Sequence, residues 1–173
     1  MASSKVGPIC IIKQLPHQPS PKRGCGILVF QEERQVTASE GYNGLGEKQR
    51  WILKAIDWWV SGAPLPKSRG HGFNKRDYGG KYAHCFVFKT SDDDRLYGFL
   101  CHPKRDDPSY MFCTLVAYMT KNQWETDEAM LRISERMRNN LTVRQALSRL
   151  FPDSSGGNGH GTSKRSLDRK RRC

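Results

Sequence analysis

Apolar and polar positions follow two different periods along the chain, and each period predicts one kind of element. Over residues 47–60 the apolar side chains recur at helical spacing with charged residues opposite, which predicts an amphipathic helix. Similar patterns predict further helices at residues 126–138 and 142–151. Short apolar or alternating runs predict four strands, at residues 26–36, 83–88, 95–101 and 111–119.

The order of these elements predicts the fold class. Only the short connections 89–94 and 102–110 separate the last three strands, and such connections favour antiparallel neighbours. Residues 67–81 are rich in glycine and basic side chains, which indicates a long loop. Because the apolar face of a sheet must be buried against another layer, we expect an α+β domain, with a small antiparallel sheet of about four strands and helices packed on one face.

Length and charge indicate how the chain is divided. The 173 residues suffice for a single α+β domain, which we place at residues 26–152. Residues 1–25 form a Pro-containing segment, and residues 153–173 form a Gly/Ser-rich and basic tail; both are predicted to be flexible or disordered. Residues 1–25 carry four basic and no acidic side chains, and residues 163–173 carry six basic and one acidic. The two ends therefore hold nine of the twelve excess positive charges, which favours a polyanionic partner such as RNA.

Several absences narrow the expected location and chemistry. The longest strongly apolar run, residues 111–119, is far shorter than the roughly 20 residues of a membrane-spanning helix. Residues 1–25 contain no long apolar stretch typical of a secretory signal, so we expect a cytoplasmic protein with no membrane partner. The six cysteines form no Cys-x-x-Cys pair, so buried thiols are expected, and no metal site or cofactor is predicted.

Two segments and the order of elements resemble a known family. Residues 95–99 read Arg-Leu-Tyr-Gly-Phe, and residues 115–121 read Leu-Val-Ala-Tyr-Met-Thr-Lys ahead of the acidic segment 125–129. They resemble the arginine-bearing strand, the last strand with its terminal lysine, and the start of the closing helix in the RelE/HigB-type toxins of bacterial and phage toxin–antitoxin systems, within the RelE/ParE superfamily. Members usually have two helices between their first and second strands, whereas here only residues 47–60 show a clear pattern.

The resemblance implies a RelE-like fold and a small basic endoribonuclease that cleaves mRNA, at the ribosome in relatives, and is neutralised by an antitoxin protein. Such an mRNA interferase cleaves RNA without a metal, because the ribose 2′-hydroxyl attacks the adjacent phosphorus and the 5′-oxygen leaves. This chemistry requires a base, an acid, and cations around the phosphate.

Arg95 and Lys121 are the candidate cations. Arg95 matches the arginine that the family presents to the scissile phosphate, and a guanidinium stays charged and can bind two phosphate oxygens at once. Lys121 ends the last apolar strand, at the rim of the sheet. The alternatives are a surface arginine paired with the aspartates at 92–94, and an ordinary solvated lysine.

Four further residues are candidates for proton transfer: His84, His102, Tyr118 and Lys89. Histidine titrates near neutrality, although a lone histidine is more often structural. We expect His84 and His102 at opposite ends of a hairpin, so they should not serve one phosphate together. Strict alternation places Tyr118 on the same strand face as Phe112, where packing is the alternative role.

Cations, glycines and an aromatic ring are concentrated in residues 69–76, a mixture that can hold phosphates and stack a base. The predicted RNA-binding residues are Arg69, His71, Lys75, Arg76, Lys81 and Lys89. The alternative is a merely flexible connection.

Two other functions stay open. One is a non-catalytic nucleic-acid-binding protein whose basic ends carry the affinity, which would make binding sensitive to salt. The other is a gyrase inhibitor of the ParE type, which needs no acid or base residue.

Overall fold

The computed structural model describes residues 9–30, 37–90, 93–121 and 127–153, and within them the chain forms six strands and four helices. The strands are β1 (Cys10–Gln14), β2 (Arg23–Phe30), β3 (Gly70–Gly72), β4 (Cys85–Lys89), β5 (Asp94–Cys101) and β6 (Met111–Thr120). The helices are α1 (Thr37–Gly44), α2 (Gln49–Val60), α3 (Glu128–Arg138) and α4 (Leu141–Leu150). Residues 1–8 of the N-terminal segment and residues 154–173 of the tail, both predicted to be flexible, lie outside the described residues.

All six strands join one mixed sheet in the order β1-β2-β6-β5-β4-β3. β2 and β6 pair in parallel, and the other neighbours are antiparallel. The prediction of about four antiparallel strands was therefore wrong in number and direction. β1 and β3 carry weak signals, because β1 lies among the prolines of residues 1–25 and β3 is a three-residue part of a Gly-rich stretch. The parallel pair arises because the chain leaves β2 through α1 and α2 and re-enters the sheet at its far edge.

Helices cover both faces of the sheet, so the expected single helical layer was also wrong. α1 and α2 pack on one face, in a buried cluster that includes Ile52, Ile56 and Leu96. α3 and α4 pack on the other face, where the cluster includes Tyr97 and Leu131. Neighbours along β5 point to opposite faces, so Leu96 and Tyr97 enter different clusters. A strand that is apolar on both sides must be packed against another layer on each face of the sheet. The result is an arrangement of three layers, helices, sheet and helices.

A bulge in β6 determines which side chains reach the α3 face of the sheet. The register shifts between Tyr97 and Gly98, which leaves Val116 as the extra residue of β6. Val116 and the following Ala117 both belong to the cluster under α3 and α4, so every later position of β6 has switched sides. Glycine is required at position 98, because a Cβ there would lie 2.2 Å from the backbone oxygen of Thr114.

The three helices predicted from periodicity are present as α2, α3 and α4, and the predicted antiparallel pairings of β4 with β5 and of β5 with β6 are confirmed. α1 was missed, since its eight residues include two glycines and little apolar pattern. No helix in the described part of the chain is long and apolar enough to cross a membrane.

Candidate functional site

Four side chains from β5, the end of β6 and the start of α3 meet on the α3 face of the sheet. The carboxylate of Asp127 accepts hydrogen bonds from Arg95 Nη1 at 3.2 Å and from Lys121 Nζ at 3.1 Å. The hydroxyl of Tyr97 donates to the same carboxylate. The side chains of Arg95, Lys121 and Asp127 are only 20%, 18% and 14% exposed. We call these four residues the Asp127 cluster.

The register of the sheet explains why the Asp127 cluster forms. Arg95 and Tyr97 are two positions apart on β5, so they share a face. Lys121 reaches the same face because the β6 bulge shifts the strand by one position, and its backbone amide donates to the carbonyl of Asp93 at 2.9 Å. Arg95 pairs with Asp127, whereas Asp94 pairs with a lysine on the opposite side of the sheet. Arg95 therefore does not pair with Asp94, as the alternative of a surface arginine paired with the aspartates at 92–94 would require.

A cleft of about 310 Å³ opens beside the Asp127 cluster. Its lining residues are Lys67, His71, Gly72, Phe73, Asn74, Asp77, Tyr78 and Asp127. Lys89 and Arg95 are cross-strand partners on β4 and β5, and their charges act on His71 of β3. Lys67 lines the cleft itself together with the carboxylates of Asp77 and Asp127, and Lys89, Arg95 and Lys121 lie beside it, close enough for their charges to act on one another.

His71 presents a proton acceptor in the cleft. Its Nδ1 lies 3.1 Å from the carbonyl oxygen of Gly72. Because a carbonyl only accepts hydrogen bonds, Nδ1 carries the proton and Nε2 keeps its lone pair. Burial lowers the pKa of His71, and although the Gly72 contact and Asp127 act in the opposite direction, Lys89 and Arg95 lower it further. The imidazole is therefore neutral at pH 7, with one nitrogen able to take up a proton.

Lys89 lies among like charges. Burial is the largest cause of its lowered pKa, followed by the charge of Arg95. Lys121 and Lys67 add to the repulsion, and Asp127 offsets part of it. The Nζ of Lys89 donates to the carbonyl of Lys67 at 3.0 Å, which holds the amine in place. Cations held this close are stabilised by a bound anion, so the site favours a negatively charged ligand.

Tyr78 supplies a hydroxyl among the residues that line the cleft. Its side chain is 41% exposed, and its ring contacts the buried Tyr82 at 5.5 Å between centroids. Burial raises the pKa of Tyr78, and the charges of Asp127 and Glu128 raise it further, so the phenol stays protonated at neutral pH. Its φ of 51° makes it the one non-glycine residue with positive φ among those described. Backbone strain of this kind is concentrated at functional sites.

The carboxylate of Asp127 is ionised and holds its neighbours in position. Burial raises its pKa, but the hydrogen bonds from Tyr97 and Lys121, with the charges of Lys121 and Arg95, outweigh burial and leave the pKa below its ordinary value. Burial raises the pKa of the Tyr97 hydroxyl, and the hydrogen bond to Asp127 raises it further. The hydroxyl therefore stays protonated and remains a donor.

Replacing Asp127 by Asn should lower the free energy of unfolding at pH 7 by about 2 kcal/mol, because two partly buried cations lose their anionic partner. A carboxylate with a depressed pKa stabilises the fold above its unfolded pKa of about 3.9, and this contribution disappears as pH falls through the folded value. Urea unfolding from pH 7 to pH 3 should therefore show the two proteins converging below about pH 4.

Asp93→Asn is the matched control for the Asp127 variant, because it removes one negative charge from an exposed position nearby. If Asp127→Asn loses no more stability than Asp93→Asn at pH 7, the stabilising role of the Asp127 contacts is refuted.

Five of the six predicted RNA-binding residues do not line the cleft. The guanidinium of Arg69 lies 4.9 Å from the ring centroid of Trp51, on the α2 side of the sheet. Lys75 and Arg76 are exposed beyond the cleft, and Lys81 lies over the ring of Tyr82. His71 lines the cleft, and Lys89 lies among the charges beside it.

Tyr118 lies on the other face of the sheet, separate from Arg95. The bulge moves it there, against the alternation that placed it with Phe112. Its hydroxyl donates to Asp94 at 2.6 Å, and Gly41 of α1 packs against its ring. The contacts of Tyr118 are thus those of a packing residue under α1.

His84 and His102 lie together, contrary to the expectation that they occupy opposite ends of a hairpin. Both line a second cavity between the end of β5 and the α3–α4 corner. The pairing of Cys85 with Phe99 brings the start of β4 beside the end of β5, so the two histidines become neighbours. Neither of them reaches the Asp127 cluster.

Four residues of the site were not singled out from the sequence: Lys67, Tyr78, Tyr97 and Asp127. The signal for Tyr97 and Asp127 was present, since both fall in the segments that resemble the RelE/HigB toxins. Lys67 and Tyr78 had no such signal, because only the folded loop between α2 and β4 brings them to the cleft. A comparison with known protein families, curated proteins and solved structures finds no match for this chain.

Proposed function

We propose that the protein is a cytoplasmic endoribonuclease that cleaves mRNA in the cleft beside the Asp127 cluster. The observation that carries the proposal is that a neutral histidine with a free acceptor nitrogen, a protonated tyrosine and one lysine line the same cavity, with three further cations beside it. The resemblance of residues 95–99 and 115–121 to the RelE/HigB toxins supports the same activity and suggests an antitoxin protein as partner. α1 and α2 also give two helices after β2, the number usual in that family.

In this proposal His71 is the general base. Its Nε2 takes the proton from a ribose 2′-hydroxyl, and the 2′-oxygen forms a bond to the adjacent phosphorus. The bond between phosphorus and the 5′-oxygen then breaks, and the leaving oxygen takes its proton from the hydroxyl of Tyr78. The products are a 2′,3′-cyclic phosphate and a 5′-hydroxyl. His71 releases its proton to water, and Tyr78 regains one from water.

The cations stabilise the charge that accumulates on the phosphate. Arg95 and Lys121 are held in fixed positions by Asp127, so little reorganisation is needed when the phosphate enters. Lys89, whose charge acts on His71, and the exposed Lys67 of the cleft lining add further positive charge. Such cations act most strongly in the transition state, where the negative charge on the phosphate is greatest.

Incubation of the purified protein with 5′-labelled RNA, free and on ribosomes, tests the proposal. We expect fragments that end in a 2′,3′-cyclic phosphate, and slower cleavage by an Arg95→Ala variant. Arg105→Ala is the matched control, because the Arg105 side chain is 85% exposed and pairs with Asp153, away from the Asp127 cluster. RNA left intact in both forms would refute the endoribonuclease. Salt-sensitive RNA binding without product would then favour a binding protein, and inhibited DNA supercoiling a gyrase inhibitor.

A further inference from the structure

The second cavity, of about 470 Å³, is formed by the end of β5, the last turn of α3 and residues 144–148 of α4. Its polar lining consists of His84, His102, Arg138, Asn139, Arg144 and Ser148. All six side chains carry hydrogen-bond donors, and none of the residues that line this cavity is acidic. The cavity is therefore suited to an anion.

The two arginines of the second cavity differ in how they are held. Arg138 is anchored by Glu135: its Nε lies 3.1 Å from both carboxylate oxygens and its Nη2 donates to the same carboxylate, which leaves Nη1 as the nitrogen that does not contact Glu135. The exposed side chain of Arg144 forms no ion pair or hydrogen bond with any described residue. Nδ1 of His102 lies 3.0 Å from the carbonyl of Tyr110, so this nitrogen carries the proton and the ring orientation is fixed.

An apolar surface lies beside these donors. The partly buried Pro103 contributes to the lining and provides the kind of apolar surface against which a nucleobase packs, and Phe99 and Leu147 are its buried apolar neighbours in the lining. Cys101 also lines the cavity, and burial raises the pKa of its thiol to about 12, so it is a neutral apolar neighbour. The cavity thus combines a phosphate-binding side with an apolar side, as a nucleotide requires.

We propose that the second cavity binds one nucleotide of an RNA strand through its phosphate, with Arg144 and Arg138 as the cationic contacts. The identification of RNA as the source of that phosphate rests on the proposed function. Asp127 at the start of α3 borders the cleft, and Arg138 at its end borders the second cavity. The 11 residues of α3 span about 16 Å, so one strand that runs along this helix reaches both sites.

Binding titrations on the full chain test the proposal with two probes: adenosine monophosphate, and a 2′-O-methyl oligoribonucleotide that lacks the attacking hydroxyl. We expect saturable binding of both and an affinity about tenfold lower in Arg144→Ala, since one charged hydrogen-bonding contact is lost. Arg149→Ala is the matched control, because it removes the same charge from the same helix outside the cavity. Both positions are exposed, so both variants should keep the wild-type circular dichroism spectrum.

Each other outcome of the titrations overturns the proposal. Non-saturable binding of adenosine monophosphate, or equal losses in the two variants, excludes a nucleotide site in this cavity. An Arg144→Ala variant that loses the mononucleotide and keeps the oligonucleotide shows a site for a free nucleotide and not for an RNA strand. If the titrations give the expected result and the cleavage assay shows no product, only the endoribonuclease is refuted. The two results are independent because the 2′-O-methyl oligonucleotide of the titrations cannot be cleaved.

Discussion

His71→Ala should slow RNA cleavage at saturating RNA by about 10²- to 10⁴-fold, the usual contribution of a general base. RNA affinity should change little, because a neutral imidazole carries no charge to the phosphate. Nε2 is the free acceptor nitrogen in the cleft, and Gly72 fixes the tautomer that leaves it free. Single-turnover cleavage of a labelled RNA, compared with filter binding of the uncleavable 2′-O-methyl analogue, separates the two effects.

His17→Ala is the control for the His71 variant, since it removes a histidine that lines neither the cleft nor the second cavity. The control should cleave at the wild-type rate when RNA is saturating. In the wild type, the rate should fall in acid as His71 becomes protonated, and its lowered pKa places this limb below the ordinary value of about 6.5. Equal loss of rate in both variants, or a loss confined to affinity, would remove His71 from the proposed role of base.

Gly98→Ala should lower the free energy of unfolding by about 3 kcal/mol. The added methyl group would lie 2.2 Å from the Thr114 oxygen and 3.0 Å from the Leu115 Cα, and both atoms belong to the backbone of a central strand. Neither can move without breaking the pairing of β5 with β6, which sets the positions of Arg95 and Lys121. Urea denaturation measures the loss.

Gly72→Ala is the control for the Gly98 variant, because a Cβ at Gly72 meets its nearest atom at an ordinary 3.6 Å. The Gly72→Ala substitution should lower the free energy of unfolding by less than about 1 kcal/mol. A Gly98→Ala protein as stable as Gly72→Ala would show that the bulge relaxes at little cost, and the argument from backbone crowding would then be wrong.

The spacing of apolar side chains predicted those elements in which one face is buried and the local sequence alone shows which face it is. α2 is an example, since apolar side chains such as Ile52 and Ile56 recur on one side of a helix whatever the helix packs against. The number of strands in the sheet was not predictable in the same way. β3 has only three residues, two of them glycine, and it becomes a strand because β4 offers a free edge for its backbone.

The candidate site was predictable in part, for a similar reason. Arg95 was singled out because residues 95–99 resemble the arginine-bearing strand of the RelE/HigB toxins, and Lys121 because it ends the last apolar strand. Their mutual placement depends on an extra residue at Val116, which alternation alone does not reveal. The same extra residue places Tyr118 on the opposite face of the sheet. One bulge that the sequence pattern did not reveal therefore explains why Arg95 and Lys121 lie together and why Tyr118 lies apart from them.

The parallel pairing of β2 with β6 affects how the protein folds during synthesis. β1 and β2 are close in sequence, so this hairpin can form as soon as residue 30 has emerged from the ribosome. β2 must then wait for β6, roughly 80 residues later, and closing so long a loop slows folding. Lys121 and Asp127 emerge later still, so the nascent chain cannot assemble the Asp127 cluster until most of the domain has been translated.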